Sequence, residues 1–522
     1  MSTNALNQVY KTAIVAVEES LLTASPNAGA TSIAISGKYM SATPFTVNQT
    51  YILRDDSFAA GANGLPNSER IMVTSIAGLT ATPLADGIGF TVAGTLAVLG
   101  YSSNGWTGGI LNSYTTTNNA SVLTPGKEMA IQSADFNCRF KTLADTPKID
   151  FDDESSRFAT GDEGRDLSIA GARSGEITFT EKLAWGGAVT TVPRWEKLMR
   201  IMGHVTKKYT TTGIEFLPLP HANEVTGTVW IISPENGAAP AQVVYRYVGA
   251  HGGNGSSIST GKIGDPWMMT GKLNAAYIGT LELPVGKTRA LTGPQTTIPE
   301  VMLSNLVTVP AAFGASLVPS ASSTLALLIT STPLAANSRF FTSDGSDTGD
   351  AALATAKLLN ASSSSFALSP GDSFTVSSSS AISYAQPIKA VEISQFSLDF
   401  GQTVNPFIDQ ATTTGNAFYV TSDRDPRFTC NPYHVSKSQE DLDLSVTQMM
   451  TGQVLVKSAL TNPHITVEMP NAQLLSPSLA SREGYVNTNR TYRPMRNNLG
   501  AGAKQSALPD AAMYGILIGA RS

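Results

Sequence analysis

The residues best equipped for chemistry are few and scattered. The chain has two cysteines, Cys138 and Cys430, in 522 residues. Cys138 lies in "SADFNCRFKT" (133–142), between Phe136 and Phe140. A period of two puts these three side chains on one face of an extended segment, where a cysteine behaves as a small buried hydrophobe. The two cysteines lack CxxC spacing, so they make neither a disulfide framework nor a zinc site. The five histidines (His204, His221, His251, His434, His464) show no HxE or HExxH spacing, which leaves no motif for zinc or non-haem iron. "PVGKT" (284–288) ends like a phosphate loop, yet Leu281 stands where GxxxxGK needs glycine. "HGGNGSS" (251–257) reads as a hairpin tip.

Acidic residues cluster in "DFDDES" (150–155) and "DGSDTGD" (344–350). A calcium loop on the first would need glycine at its sixth position, which is Ser155, and a glutamate six residues on, where none stands. Both clusters read as solvated loops. The proposed use of Asp150, Asp152, Asp153 and Glu154 is electrostatic contact with a neighbouring subunit. No catalytic, cofactor-binding or metal-ligating residue is expected, and the chain is not read as an enzyme.

Composition points the same way. Charged residues make up only 14% of the chain, with Ser, Thr, Asn, Ala and Gly in their place, a surface suited to contact with copies of itself. A net charge of −5 argues against a nucleic-acid-binding surface, and the densest basic stretch is only "VTKKYT" (205–210). The first residues carry no positive segment before an apolar run, and no stretch approaches the ~18 apolar residues of a membrane span. The expectation is a protein made in a cytoplasm and soluble there.

Strand signals dominate the elements that position these residues. "TAIVAVEE" (12–19), "GEITFTEKLAW" (175–185), "TGTVWIIS" (226–233), "VEISQFSLDF" (391–400) and "HITVEM" (464–469) are rich in β-branched and aromatic residues. Two helices are predicted. In 191–203 Trp195, Leu198, Met199 and Met202 form one apolar stripe, opened by Pro193 and stopped by Gly203. In 438–452 Leu442, Val446, Met449 and Met450 do the same, stopped by Gly452. Residues 28–105 and 305–388 read as two inserted small β-modules. The rest repeats: Phe136, Cys138 and Phe140 match Phe396, Leu398 and Phe400 at one offset, 396 − 136 = 260. Each copy leads into a polar loop (144–173 and 402–417), a second strand and a helix, so the chain holds two similar domains.

"VEISQFSLDFGQTV" and "AFYVTSDRDPRFTCNP" resemble the second tube domain of bacteriophage tail tube proteins. "SGEITFTEKLAWGG" followed by "VPRWEKLMRIMGH" is similar to the strand, turn and helix of their first domain, and "YKTAIVAVEES" to their opening strand. The resemblance implies two tandem β-sandwich or half-barrel tube domains, each with a flanking helix. The first covers 1–27 and 106–304, the second 389–500, and 501–522 forms a carboxy-terminal arm. It implies a virion protein, assembled in the host cytoplasm, whose rings stack into the tail tube and conduct DNA without binding it. Two domains per chain imply a pseudo-sixfold trimer, with a hexamer as the alternative. Terminator, distal tail and tape measure proteins are the implied partners, with no membrane. A capsid decoration or receptor-binding tail component is the competing reading. The apolar end "YGILIG", with Tyr514, Ile516, Leu517 and Ile518, is expected to add to a neighbour's sheet. Deleting 503–522 is then expected to leave a folded subunit that cannot polymerise.

Overall fold

The computed structural model describes residues 12–55, 68–85, 89–131, 140–152, 169–185, 191–209, 213–219, 225–234, 242–261 and 265–283. It further describes 301–302, 308–311, 365–369, 372–376, 382–384, 389–408, 416–433, 451–457, 464–482, 484–494 and 513–519. These residues are mainly strand.

The chain enters through β1 (Thr12–Val17) and passes at once into a separate barrel. Its strands are β2 (Glu19–Leu22), β3 (Ser32–Tyr39), β4 (Thr50–Arg54), β5 (Ser68–Pro83), β6 (Phe90–Ser102) and β8 (Ser121–Leu123), with β7 (Gly105–Thr107) folded back on β6. The pairings β2–β3–β6–β5–β4–β8–β2 close on themselves, so the six strands have no free edge. Alternate residues such as Ile33, Ile35, Leu53, Ile71, Val73, Leu96 and Val98 fill the interior. This barrel occupies the range expected for the first inserted module and draws two further strands, β2 and β8, from outside 28–105.

The first half of the body follows. β9 (Phe140–Asp152) and β10 (Ile169–Lys182) form a long antiparallel hairpin, and β11 (Ala184–Trp185) leads to α1 (Glu196–Ile201). Trp195, Leu198, Met199 and Met202 are buried as the stripe predicts, and Gly203 ends the turn with a φ of 75°. Next come β12 (His204–Tyr209), β13 (Gly213–Pro218), β14 (Gly227–Pro234), β15 (Gln242–Gly252), β16 (Ser257–Thr260), β17 (Met268–Ala275), β18 (Tyr277–Leu283) and β19 (Val301–Met302), the last paired with β11. Of the predicted loop 144–173, residues 144–152 and 169–173 are strand, and the residues between them lie outside the described ones. Along 144–146 exposed Ala144 and Thr146 flank a half-buried Asp145 rather than an apolar side chain, so this stretch lacks the apolar alternation that marks a half-buried strand.

The second half opens with β20 (Thr308–Ala311). β21 (Ser365–Ser369), β22 (Asp372–Val376) and β23 (Ile382–Tyr384) form a small sheet of their own. The body then continues through β24 (Lys389–Glu392), β25 (Phe396–Asp399), β26 (Gln402–Ile408), β27 (Asn416–Arg424), β28 (Arg427–Cys430), β29 (Thr451–Lys457), β30 (His464–Arg482), β31 (Tyr485–Pro494) and β32 (Gly515–Gly519). Residues 402–408 and 416–424 pair as a hairpin, again where a polar loop is predicted. Of the second predicted helix, 438–450 lie outside the described residues, and Gly452 sits within β29 rather than at a helix end.

The two halves share one pairing pattern. In the first, β1 pairs with β14 and β14 with β15. β15 takes β18 on its other edge and runs on through β16 to β17, which is followed by β10 and β9. In the second, β20, β29, β30, β32, β31, β28 and β25 are joined in the same way. Even the bulges agree: one separates Gly227 from Val229, another Gly452 from Val454, with Ala250 and Ala472 opposite the two glycines. Both inserted modules therefore leave the body after the same first strand, β1 or β20. β20 lies inside the range 305–388 but belongs to the body. By this register the counterpart of Phe396 is Leu143, an offset of 396 − 143 = 253 rather than 260, and Phe136 and Cys138 lie outside the described residues.

β16 pairs with β25, so the halves form one continuous sheet, and a single core lies behind it. Ile177, Phe179, Ile258, Met269, Leu273, Phe396, Leu398 and Phe428 face that core together with α1 and β1.

Candidate assembly surface

The residues expected to contact neighbours fare differently. Asp150 and Asp152 lie at the far end of β9, while Asp153 and Glu154 fall outside the described residues. Tyr514, Ile516, Leu517 and Ile518 are buried in the chain's own sheet. β32 runs antiparallel between β13 and β30, with Ile518 opposite both Ile214 and Ile465. This corrects the expectation of an arm reaching a neighbour: β32 is the second half's counterpart of β18. The Tyr514 hydroxyl lies 2.8 Å from His204 Nε2, and its ring stacks on Phe400 at 6.0 Å. His204 Nδ1 faces the Met199 carbonyl at 3.2 Å, which can only accept, so Nδ1 carries a proton.

The face of the sheet turned away from the core is largely polar across seven strands, with Met268 as an apolar member. One row of cross-strand neighbours reads Thr142, Thr180, Thr270, Ser257, Asp399, Arg427. The adjacent row reads Lys182, Met268, Ser259, Ser397, Thr429, Thr491. Two ion pairs border this face: Lys272 Nζ is 2.7 Å from Glu176, and Arg427 meets Asp425 at 2.5 Å, while Asp399 accepts from the Gly401 N–H. Hydroxyls supply most of the remainder. Spacing alone could not reveal this face, because its rows join strands far apart in the chain.

Large apolar side chains are exposed at the ends of two hairpins. Phe407 and Ile408 stand at the end of β26, with Phe407 stacked on Phe418 at 5.0 Å. Leu479, Tyr485 and Val486 stand at the end of the β30–β31 hairpin, with Leu479 69% and Tyr485 68% exposed. The barrel carries a smaller exposed pair, Tyr101 and Trp106, at 5.1 Å edge to face.

The barrel is set on the body by two consecutive buried carboxylates. Glu18 accepts hydrogen bonds from Thr226 Oγ1 (2.6 Å), Gly126 N (2.6 Å), Thr228 Oγ1 (2.9 Å) and Gly249 N (2.8 Å). Burial pushes its carboxyl up to about 7 against the pull of these donors. Glu19 turns the other way and meets Arg200 of α1 at 2.6 and 2.8 Å, with Ser121 Oγ also donating to it. Burial raises the Glu19 carboxyl, but Arg200, Ser121 and Arg54 together hold it below the ordinary carboxylate range.

Among the described residues no group of three or more His, Cys, Asp or Glu side chains is placed to hold a metal ion. Among the same residues no helix is long and apolar enough to cross a membrane. No protein-family model matches the chain, and no curated protein matches it.

Proposed function

We propose that the protein is a structural component of a phage virion, whose copies join into rings that stack as the tail tube. The observation that carries this reading is the seven-stranded polar face shared by two like halves. Its hydroxyls and paired charges offer a passing polyanion little to bind, as a conduit for DNA requires. Two further features support self-assembly: low overall charge, and apolar side chains held at hairpin ends where the chain itself does not cover them. The motifs that resemble tail tube domains supply the virion context. On this reading the partners are other copies, in trimeric pseudo-sixfold rings or hexamers, and the tail proteins at either end. The role is mechanical and needs no cofactor.

Electron microscopy of the purified protein tests it. Hollow stacked rings with threefold symmetry are the expected result. Sixfold rings would replace the trimer with the hexamer, whereas compact particles without a lumen would overturn the tube in favour of a decoration protein.

A further inference from the structure

The junction inside the chain bears on an edge that has no strand partner among the described residues. In the first half, Ile258 of β16 is fully buried because Leu398 of the second half lies opposite it. Trp267, which leads into β17, is fully buried against Phe396 at 4.6 Å. Second-half counterparts follow from the shared register. His251 stands opposite Asn274 and Gln473 opposite Arg493, so β17 maps onto β31 with an offset of 493 − 274 = 219. Ile258 is the partner of Met269, whose counterpart is Thr488, and Thr488 is the partner of Leu479. Leu479 is thus the counterpart of Ile258, and Val486 that of Trp267. Both counterparts are exposed, Leu479 at 69% and Val486 at 53%. Among the described residues, β30 from Leu474 to Arg482 pairs only with β31, and β9 pairs only with β10.

We infer that Ser478–Ser481 of one copy pair with Leu143–Thr146 of the next, repeating between copies the β16–β25 junction within one. The occupant is a second copy, since the surface that covers Ile258 and Trp267 is a like half of this same chain. Leu143 is the counterpart of Phe396, Asp145 of Leu398 and Thr146 of Asp399, so β9 offers the next copy the same backbone edge. Asp145, which accepts from the Tyr247 hydroxyl at 2.7 Å, stands in the place of Leu398. The contact is heterologous, and its repetition closes a ring or extends a fibre. It removes two unpaired strand edges and covers the Leu479 and Val486 side chains.

This inference rests on self-assembly, and the test separates the two. Ser257 faces Asp399 across the internal junction, so Ser478 is to face Thr146 of the next copy. Proteins carrying only Ser478→Cys and only Thr146→Cys are mixed, allowed to assemble and oxidised. The expected product is a disulfide-linked dimer that forms in the mixture and in neither protein alone. Leu479→Lys, at a site exposed in the single chain, is expected to leave the melting temperature of the monomer unchanged and to abolish assembly. Assembled particles with no mixed dimer, or Leu479→Lys particles like the wild type, would overturn this junction and leave the assembly reading standing. A wild-type protein that stays monomeric at all concentrations would overturn both.

Discussion

Glu18 and Glu19 are neighbours in sequence and opposite in electrostatics. Glu18 has four hydrogen-bond donors and no cation among the causes acting on it, so burial dominates. Its folded-state value of about 7 exceeds the ordinary 4.5, so its contribution to stability is complete below 4.5 and is lost as pH rises through about 7. The size of that contribution is about 3 kcal/mol. The melting temperature should fall between about pH 5 and about pH 8 by a component that Glu18→Gln lacks, as calorimetry across that range would measure. The glutamine variant should also be less stable at the acid end, because its amide turns N–H groups toward Gly126 or Gly249 N–H. Glu19 has the reverse sign: its stabilisation is present above the ordinary carboxylate value and fades as pH falls through its lowered one. Arg200→Ala leaves buried Glu19 without its hydrogen-bonded guanidinium, with Arg54 still acting on it, and should cost about 3–5 kcal/mol, read as a drop in the urea midpoint.

At the scale of elements, β32 shows how one strand can change a prediction. Its apolar run is easily seen in sequence, and its discomfort in water is real, but the slot that relieves it lies between β13 and β30 of the same chain. Each of Tyr514, Ile516, Leu517 and Ile518 stabilises the fold by about 1.5–3 kcal/mol through burial. Removing 513–522 should therefore yield a destabilised, aggregation-prone chain rather than a folded, non-polymerising subunit. Circular dichroism melting of the truncated protein checks this, and a cooperative transition near the wild-type temperature would refute it. α1 is the converse case. Its stripe, Pro193 and Gly203 all lie within 13 residues, so local spacing was enough to place it. Parts of the two long hairpins carry a weak strand signal because polar residues such as Asp145 and Gln402 take inward positions where a half-buried strand is expected to place apolar ones.

At the scale of the whole molecule, the chain is two like halves joined along one sheet, with an inserted module leaving each half after its first strand. Among the described residues, β16 and β25 form the one junction between the halves, while β9 and the distal part of β30 pair only with their hairpin partners. Strand order alone does not set the number of copies that closes a ring, which is why ring symmetry in electron micrographs is the informative measurement.

Sequence by itself determined that the protein is mainly β and that its one described α-helix lies within 191–203. These follow from local periodicity, which survives without any knowledge of packing. Only the tertiary structure decided the exact correspondence of the halves, the closure of the barrel through β2 and β8, and the fate of β32. It alone assembled the polar face and left Leu479 uncovered where Ile258 is buried. Each of these depends on which strand lies beside which, and hydrogen bonds between distant strands leave no periodic trace in either partner.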